Sequence, residues 1–522
     1  MNLRTRWGLA SKPVLLYYDR MHRLFICPAL LYAALPLVAE DVHIESGRVS
    51  GVASVTSNVM VYKGIPYAAP PVGDLRWRPP KAALAWSGIR EGDRFGAACM
   101  QTPFPEGSPY RTNPEPVSED CLFLNVWSGA KSPKEPRPVM VWIHGGSLAK
   151  GSGSIPVYDG EHLASDGAVV VTINYRLGVF GFLAHPQLTK ESDRGSSGNY
   201  GILDQIAALD WVRKNIATFG GDPKRVTVFG ESAGSWSVNV LVASPLARGL
   251  FQRAIGESGA NFAPLPRLAD AEEAGLRLAK SMGAETVAAL RAKPAADLTK
   301  AMGEYAQPNV DGWMLPDQIF AIFSRGKQND VATLIGSNAD EGTAFTPPTL
   351  GAEAFKAETK RRFRDVADEY LKTYPAGSDE QARASSAAAI RDQRFGWEMQ
   401  TWARLQAKTG KSKVFLYYFS RVPPGPFGKR LGAYHASEIP YVFDNLRIAP
   451  VDNPDRDLAK TMSAYWVNFA AHGDPNGKGV PRWPAYSKTG VAMGLGEQVQ
   501  TTKVPHKAEL DFWESYFEKL RK

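Results

Sequence analysis

A serine framed by glycines, Gly230-Glu231-Ser232-Ala233-Gly234, is the first place where residue type and spacing could do chemistry. It follows the β-branched run Val226–Phe229 and precedes Ser235–Leu241, which reads as a helix. A strand-to-helix turn this sharp crowds its neighbours, so it needs glycines on both sides, and it lifts the serine Oγ to the top of a sheet. A serine hydroxyl alone is a weak nucleophile. It needs a base, a group to orient that base, and donors aimed at a developing oxyanion. His144-Gly145-Gly146-Ser147 follows the run Val139–Ile143, where glycines let backbone N–H groups approach an oxygen closely, joined by the N–H of Ala233. Taken alone, His-Gly-Gly is equally a tight turn. Glu341 stands just past the run Ala332–Ile335 and His435 follows the run Val414–Tyr418, giving the chain order nucleophile, acid, base. The competing reading of His435 is a histidine in an ordinary surface loop.

The elements that must position these groups alternate in type. Short β-rich runs (Val139–Ile143, Val169–Ile173, Val226–Phe229, Ala332–Ile335, Val414–Tyr418) are separated by helical patterns, notably Asp204–Phe219 with Ile206, Leu209, Val212 and Ile216 spaced three or four apart. Alternation of this kind predicts an α/β fold with a large, mostly parallel central sheet covered by helices on both faces, and reactive groups at the carboxyl ends of its strands. The stretches from about Leu268 to Met302 and from about Ala352 to Ala407 read as surface helices, the candidate lids or pocket walls. Trp236, Trp313 and Phe262 are candidates for an acyl pocket, with plain core as the alternative.

The chain has 522 residues, with 61 Lys and Arg against 53 Asp and Glu, a formal net charge of +8. Five of those basic residues and one acid lie in residues 1–39, which leaves 56 against 52, or +4, beyond them. No stripe of Lys and Arg remains there, so a nucleic-acid groove is excluded. No uninterrupted apolar run reaches the roughly 18 to 20 residues of a membrane span. Met21-His-Arg23, the apolar stretch Leu24–Leu37 and Val38-Ala39 instead resemble an export signal cleaved after Ala39, with translation starting at Met21; a membrane anchor or a core helix is the alternative. Residues 40–522 then form one domain, exported to the periplasm or the medium. Cys27 lies inside the leader, so Cys99 and Cys121 are either a disulfide or two buried thiols. No CxxC or Cys/His clustering points to a metal, no cofactor motif is present, and nothing sets the oligomeric state.

The chain resembles the type B carboxylesterases of bacterial type, in the cholinesterase-like branch of the α/β-hydrolase fold. The resemblance runs through Tyr62-Lys-Gly-Ile-Pro-Tyr-Ala-Ala-Pro-Pro-Val-Gly73, Leu75-Arg-Trp77, Ser118–Val126, Asn174–Phe182, Gly198–Val212, Phe219-Gly-Gly-Asp-Pro223, Trp466–Ala470 and Gly473-Asp-Pro-Asn476. It implies a small-molecule ester as substrate, Ser232 as nucleophile, His435 as general base and acid, Glu341 as its orienting carboxylate, and Gly146, Ser147 and Ala233 as oxyanion donors. It also implies a Cys99–Cys121 disulfide and a buried polar pair, Glu231 and Ser258, behind the site. An amidase, carbamate hydrolase or thioesterase would use the same triad, and a non-catalytic binding protein is the reading from another class. Two departures stand out. Ser147 replaces the third glycine that is frequent in the family, which adds a side chain beside the acyl carbon. Residues 100–120 hold Phe104 and Tyr110 and no Trp, which argues against choline esters.

Overall fold

Alternation along the central strands sorts their side chains into two cores. Val139, Val141 and Ile143 join one buried cluster with Val169, Val171, Val226 and Val228. Met140 and Trp142 join the other with Val170, Phe229, Ile255, Leu334 and Phe415. Successive side chains of a strand point to opposite faces, so apolar runs of this kind bury a sheet on both sides, as a mostly parallel sheet requires. The computed structural model describes residues 41–54, 57–111, 116–132, 134–301, 305, 307–446, 451–486 and 490–521, all within one compact unit. The leader assigned to residues 1–39 lies outside the described residues, as does Met302.

Among the described residues the large sheet has eleven strands. In chain order they are β1 (Val52–Ala53), β2 (Met60–Pro66), β3 (Phe123–Ser128), β4 (Arg137–Ile143), β5 (Val169–Ile173), β6 (Gly221–Glu231), β7 (Arg253–Glu257), β8 (Ala332–Asn338), β9 (Val414–Phe419), β10 (Val491–Leu495) and β11 (Val499–Lys503). Their order across the sheet is β11-β10-β9-β8-β7-β6-β4-β5-β3-β2-β1. The six pairings from β10 to β5 are parallel, and the outer pairs are antiparallel. This is the mixed, mostly parallel sheet expected from the sequence.

Element ends differ from the sequence reading where tertiary contacts extend them. Strand β8 runs three residues past Ile335 because Ser337 and Asn338 pair with Tyr418 and Phe419 of β9. The helix expected over Asp204–Phe219 is α1 (Tyr200–Asn215), and Ile216–Phe219 tighten into a 3₁₀ turn that ends at Gly220 with φ 79°. The first of the two helical stretches breaks into Leu268–Ser281, Val287–Arg291 and Ala295–Thr299. The second ends in a helix that is core rather than surface: Trp397–Thr409 buries Trp397, Met399, Trp402 and Leu405.

Candidate active site

Strand β6 ends at Glu231, and the next residue, Ser232, sits at φ 56° and ψ −120° before helix α2 (Ala233–Ala243) begins. A non-glycine residue with φ in this region is strained, and such strain persists only where surroundings impose it. The surroundings here are the end of β4. A Cβ on Gly230 would come within 2.5 Å of the Ile143 carbonyl oxygen, and one on Gly234 within 2.0 Å of the same atom. Only glycines allow β4 and the turn to approach this closely. The Ser232 N–H donates to the Glu257 carbonyl at 2.8 Å, so strand β7 holds the other side.

The loop after β4 bends away at Gly146 (φ 106°), Ser147 (φ 57°) and Leu148 (φ 55°). Among the described residues the N–H groups of Gly146, Ser147 and Ala233 donate to no acceptor, and Gly146 and Ser147 line the same cavity as Ser232. His144 is part of the support. Its ring stacks on Tyr175, its Nδ1 lies 2.8 Å from the Gly145 carbonyl oxygen, and burial pushes its pKa down to about 4.

Glu341 and His435 meet across 94 residues of chain: imidazole Nδ1 lies 2.5 Å from Glu341 Oε2. The other carboxylate oxygen of Glu341 accepts the Asn338 N–H at 2.8 Å, so the end of β8 fixes the acid. Nε2 of His435 lies 3.1 Å from Glu231 Oε1, while the Ser232 hydroxyl donates to no acceptor among the described residues. Catalytic contacts are often loose before substrate binds, so the missing serine–imidazole bond is no obstacle to the chemistry. Three rings enclose the imidazole, with centroids 4.7 Å (Phe395), 5.1 Å (Phe345) and 6.3 Å (Tyr110) from it.

Behind these groups lie buried carboxyls that the sequence only partly disclosed. Glu231 and Glu257 are pushed well above the ordinary carboxylate range, first by burial and then by neighbouring carboxylates, of which Glu438 is the strongest. Glu438 itself is pushed up to about 8 by burial and by Glu341, against the pull of its hydrogen-bonding neighbours. Asn338 Nδ2 donates to Glu438 at 2.5 Å, and Trp466 Nε1 to Glu257 at 2.7 Å. Ser258, at φ 57° and fully buried, lies beside Glu438. Glu257 and Glu438 escaped the sequence reading. Glu257 occurs in Gly256-Glu257-Ser258-Gly259, an echo of the Ser232 motif that was the one available signal.

Ser232 and His435 open onto a cavity of about 460 Å³, in the range of small-molecule sites. Its apolar wall includes Phe104, Tyr110, Ile155, Val157, Tyr158 and Phe345. Among the described residues none of the lining residues comes from Leu268–Met302 or Ala352–Ala407; the latter reaches the site through Phe395 against His435 and Phe345 and through Arg394 over Phe345. Trp236, Trp313 and Phe262 do not line the cavity either. Phe262 packs edge-on against Phe323 in the core, and Trp313 lies under the Arg194 guanidinium. Cys99 and Cys121 form a disulfide with Cα atoms 4.9 Å apart. Among the described residues no cluster of His, Cys, Asp or Glu is arranged to hold a metal ion, and no helix is long and apolar enough to cross a membrane.

A mostly parallel sheet with a strained serine at one strand end and a carboxylate-paired histidine at the loops beyond defines an α/β-hydrolase. The chain belongs to the carboxylesterase family, whose model matches residues 38–513. It is 42% identical to the fumonisin B1 esterase of Sphingopyxis macrogoltabida, over 88% of this chain and 86% of that protein. Similarity extends to the para-nitrobenzyl esterase of Bacillus subtilis (37%, over 85% and 91%) and the liver carboxylesterase of Sus scrofa (34%, over 94% and 95%). The resemblance drawn from the sequence motifs is therefore borne out, and the protein is a carboxylic ester hydrolase.

Proposed function

We propose that ester hydrolysis proceeds through an acyl-enzyme on Ser232, with His435 as proton carrier and Glu341 as its orienting carboxylate. The observation that carries this reading is the buried contact of 2.5 Å between His435 Nδ1 and Glu341 Oε2, in one cavity with Ser232. Glu341 fixes the tautomer that leaves Nε2 unprotonated and able to accept the serine proton, and it stabilises the imidazolium that results. Oγ attacks the ester carbonyl. The oxyanion settles against the unspent N–H groups of Gly146, Ser147 and Ala233, and His435 hands its proton to the leaving alcohol. Water then repeats the two proton transfers on the acyl-enzyme. The Ser147 side chain stands beside the acyl carbon and trims the acyl groups accepted.

The apolar wall of the cavity favours aryl and alkyl esters over cationic ones. Residues 1–39 act as an export leader and residues 40–522 as the catalytic domain of a periplasmic or secreted enzyme. A disulfide supports this, because such bonds persist in oxidising compartments; an N-terminus of Glu40 on the mature protein is the expected readout. For the triad, Ser232→Ala is expected to lower kcat/KM for a p-nitrophenyl ester by about 10⁴-fold or more with the fold retained. Near wild-type turnover in that variant overturns the assignment.

A further inference from the structure

The loop closed by the disulfide does more than tie off a strand end. Its two ends pair at Ala98–Cys99 and Val117–Ser118, and between them Phe104 and Tyr110 pack ring to ring at 6.0 Å. Its Gln101–Pro103 stretch is bound to the segment that follows His144. Lys150 Nζ donates to the Thr102 carbonyl (2.9 Å), Thr102 Oγ1 (2.7 Å) and the Pro103 carbonyl (2.8 Å). Gln101 exchanges two hydrogen bonds with the Gly151 backbone, each 2.8 Å. From this anchored loop the Tyr110 hydroxyl reaches across 325 residues of chain and donates to the backbone carbonyl of His435 at 3.0 Å.

The preceding carbonyl, that of Tyr434, accepts Asn338 Nδ2 at 2.9 Å, and the following residue, Ala436, is held at φ 69°. The backbone under the imidazole is thus pinned from two directions, by Asn338 at the end of β8 and by Tyr110 from the disulfide loop. Burial and the surrounding carboxylates raise the Tyr110 hydroxyl far above its ordinary range, so it stays a donor at every working pH.

We infer that Tyr110 is a positioning residue for His435 and that the Cys99–Cys121 loop is the arm that carries it. The inference rests on His435 being the proton carrier. An imidazole that serves two proton transfers in sequence must hold its place through both, and small misplacements of reacting groups are costly in rate. Neither the ring of Tyr110 nor its hydroxyl has to touch substrate for this role.

Tyr110→Phe keeps the ring and removes the bond. The expected result is a fall in kcat of about tenfold, by the same factor for p-nitrophenyl acetate and p-nitrophenyl butyrate, with KM unchanged within about twofold. Acylation and deacylation, separated by stopped-flow bursts, should slow together. An unchanged kcat, or an effect confined to KM or to one ester, overturns the inference. Reduction of the disulfide in folded protein should slow the wild type and add nothing in Tyr110→Phe; additive losses remove the arm from the proposal. Ser232→Ala assayed alongside separates the two levels. An active Ser232→Ala defeats the triad itself, whereas an inactive Ser232→Ala beside an unimpaired Tyr110→Phe defeats only the role of Tyr110.

Discussion

The turn that bears Ser232 and the loop that bears His435 place their side chains in one cavity by opposite means. The first is built from neighbours in sequence: β6, two glycines and α2 force Ser232 into a strained conformation against the end of β4. The second has only a turn, closed by the Ser437 N–H on the Tyr434 carbonyl, and takes the rest of its support from remote residues. Its histidine is held by Glu341, its preceding carbonyl by Asn338 and its own carbonyl by Tyr110, residues 94 to 325 positions away. A locally encoded site fails when its turn cannot close. A remotely assembled one fails in proportion to the partner removed.

Gly234→Ala attacks the local half. Its Cβ has no space beside the Ile143 carbonyl, so loss of measurable turnover is expected, together with a lower melting temperature in calorimetry. Glu341→Gln attacks the remote half at its strongest contact. It should lower kcat by about 10³- to 10⁴-fold with circular dichroism unchanged, because an amide can leave the imidazole in the wrong tautomer. Asn338→Ala removes the bonds to Tyr434 and Glu438 while leaving the backbone N–H that Glu341 accepts, and a loss of about tenfold in kcat is expected.

The smallest effect concerns support shared with the nucleophile's side. Burial pushes the pKa of Glu398 up to about 8 although it accepts the N–H groups of Phe262 and Ala263 just beyond β7. The folded protein therefore retains this proton between about pH 4.5, the ordinary value, and about pH 8. Its contribution to stability is complete below the lower limit and is lost as pH rises through the upper one. Urea midpoints should fall across that window in the wild type, and Glu398→Gln should make the slope shallower without abolishing it, because the raised carboxyls of Glu231, Glu257 and Glu438 contribute in the same direction. An unchanged slope in the variant removes Glu398 as a contributor.

The same contrast explains what could be read from the sequence. The Ser232 turn, the strands Val139–Ile143 and Val169–Ile173 and the two-faced sheet follow from glycine spacing and apolar runs, which are local signals. Glu341 and His435 were reachable because each follows a strand of that sheet. The carboxyls of Glu257 and Glu438, the rings of Phe345 and Phe395 and the bond from Tyr110 depend on which loops meet in space. Periodicity carries no such information. The same limit misplaced the cavity wall: the charged stretches read as surface helices were its candidates, whereas irregular segments around Phe104–Tyr110 and Gly145–Tyr158 form much of it.

The proposed mechanism leaves the acyl group on Ser232 after His435 has protonated the leaving alcohol and before water attacks. Rapid acid quench during turnover of a p-nitrophenyl ester, followed by peptide mass spectrometry, tests it directly. The expected result is one acyl adduct on the peptide containing Gly230–Gly234, formed in the burst and absent from Ser232→Ala. Full turnover with no adduct there, or with the acyl group on another residue, contradicts it.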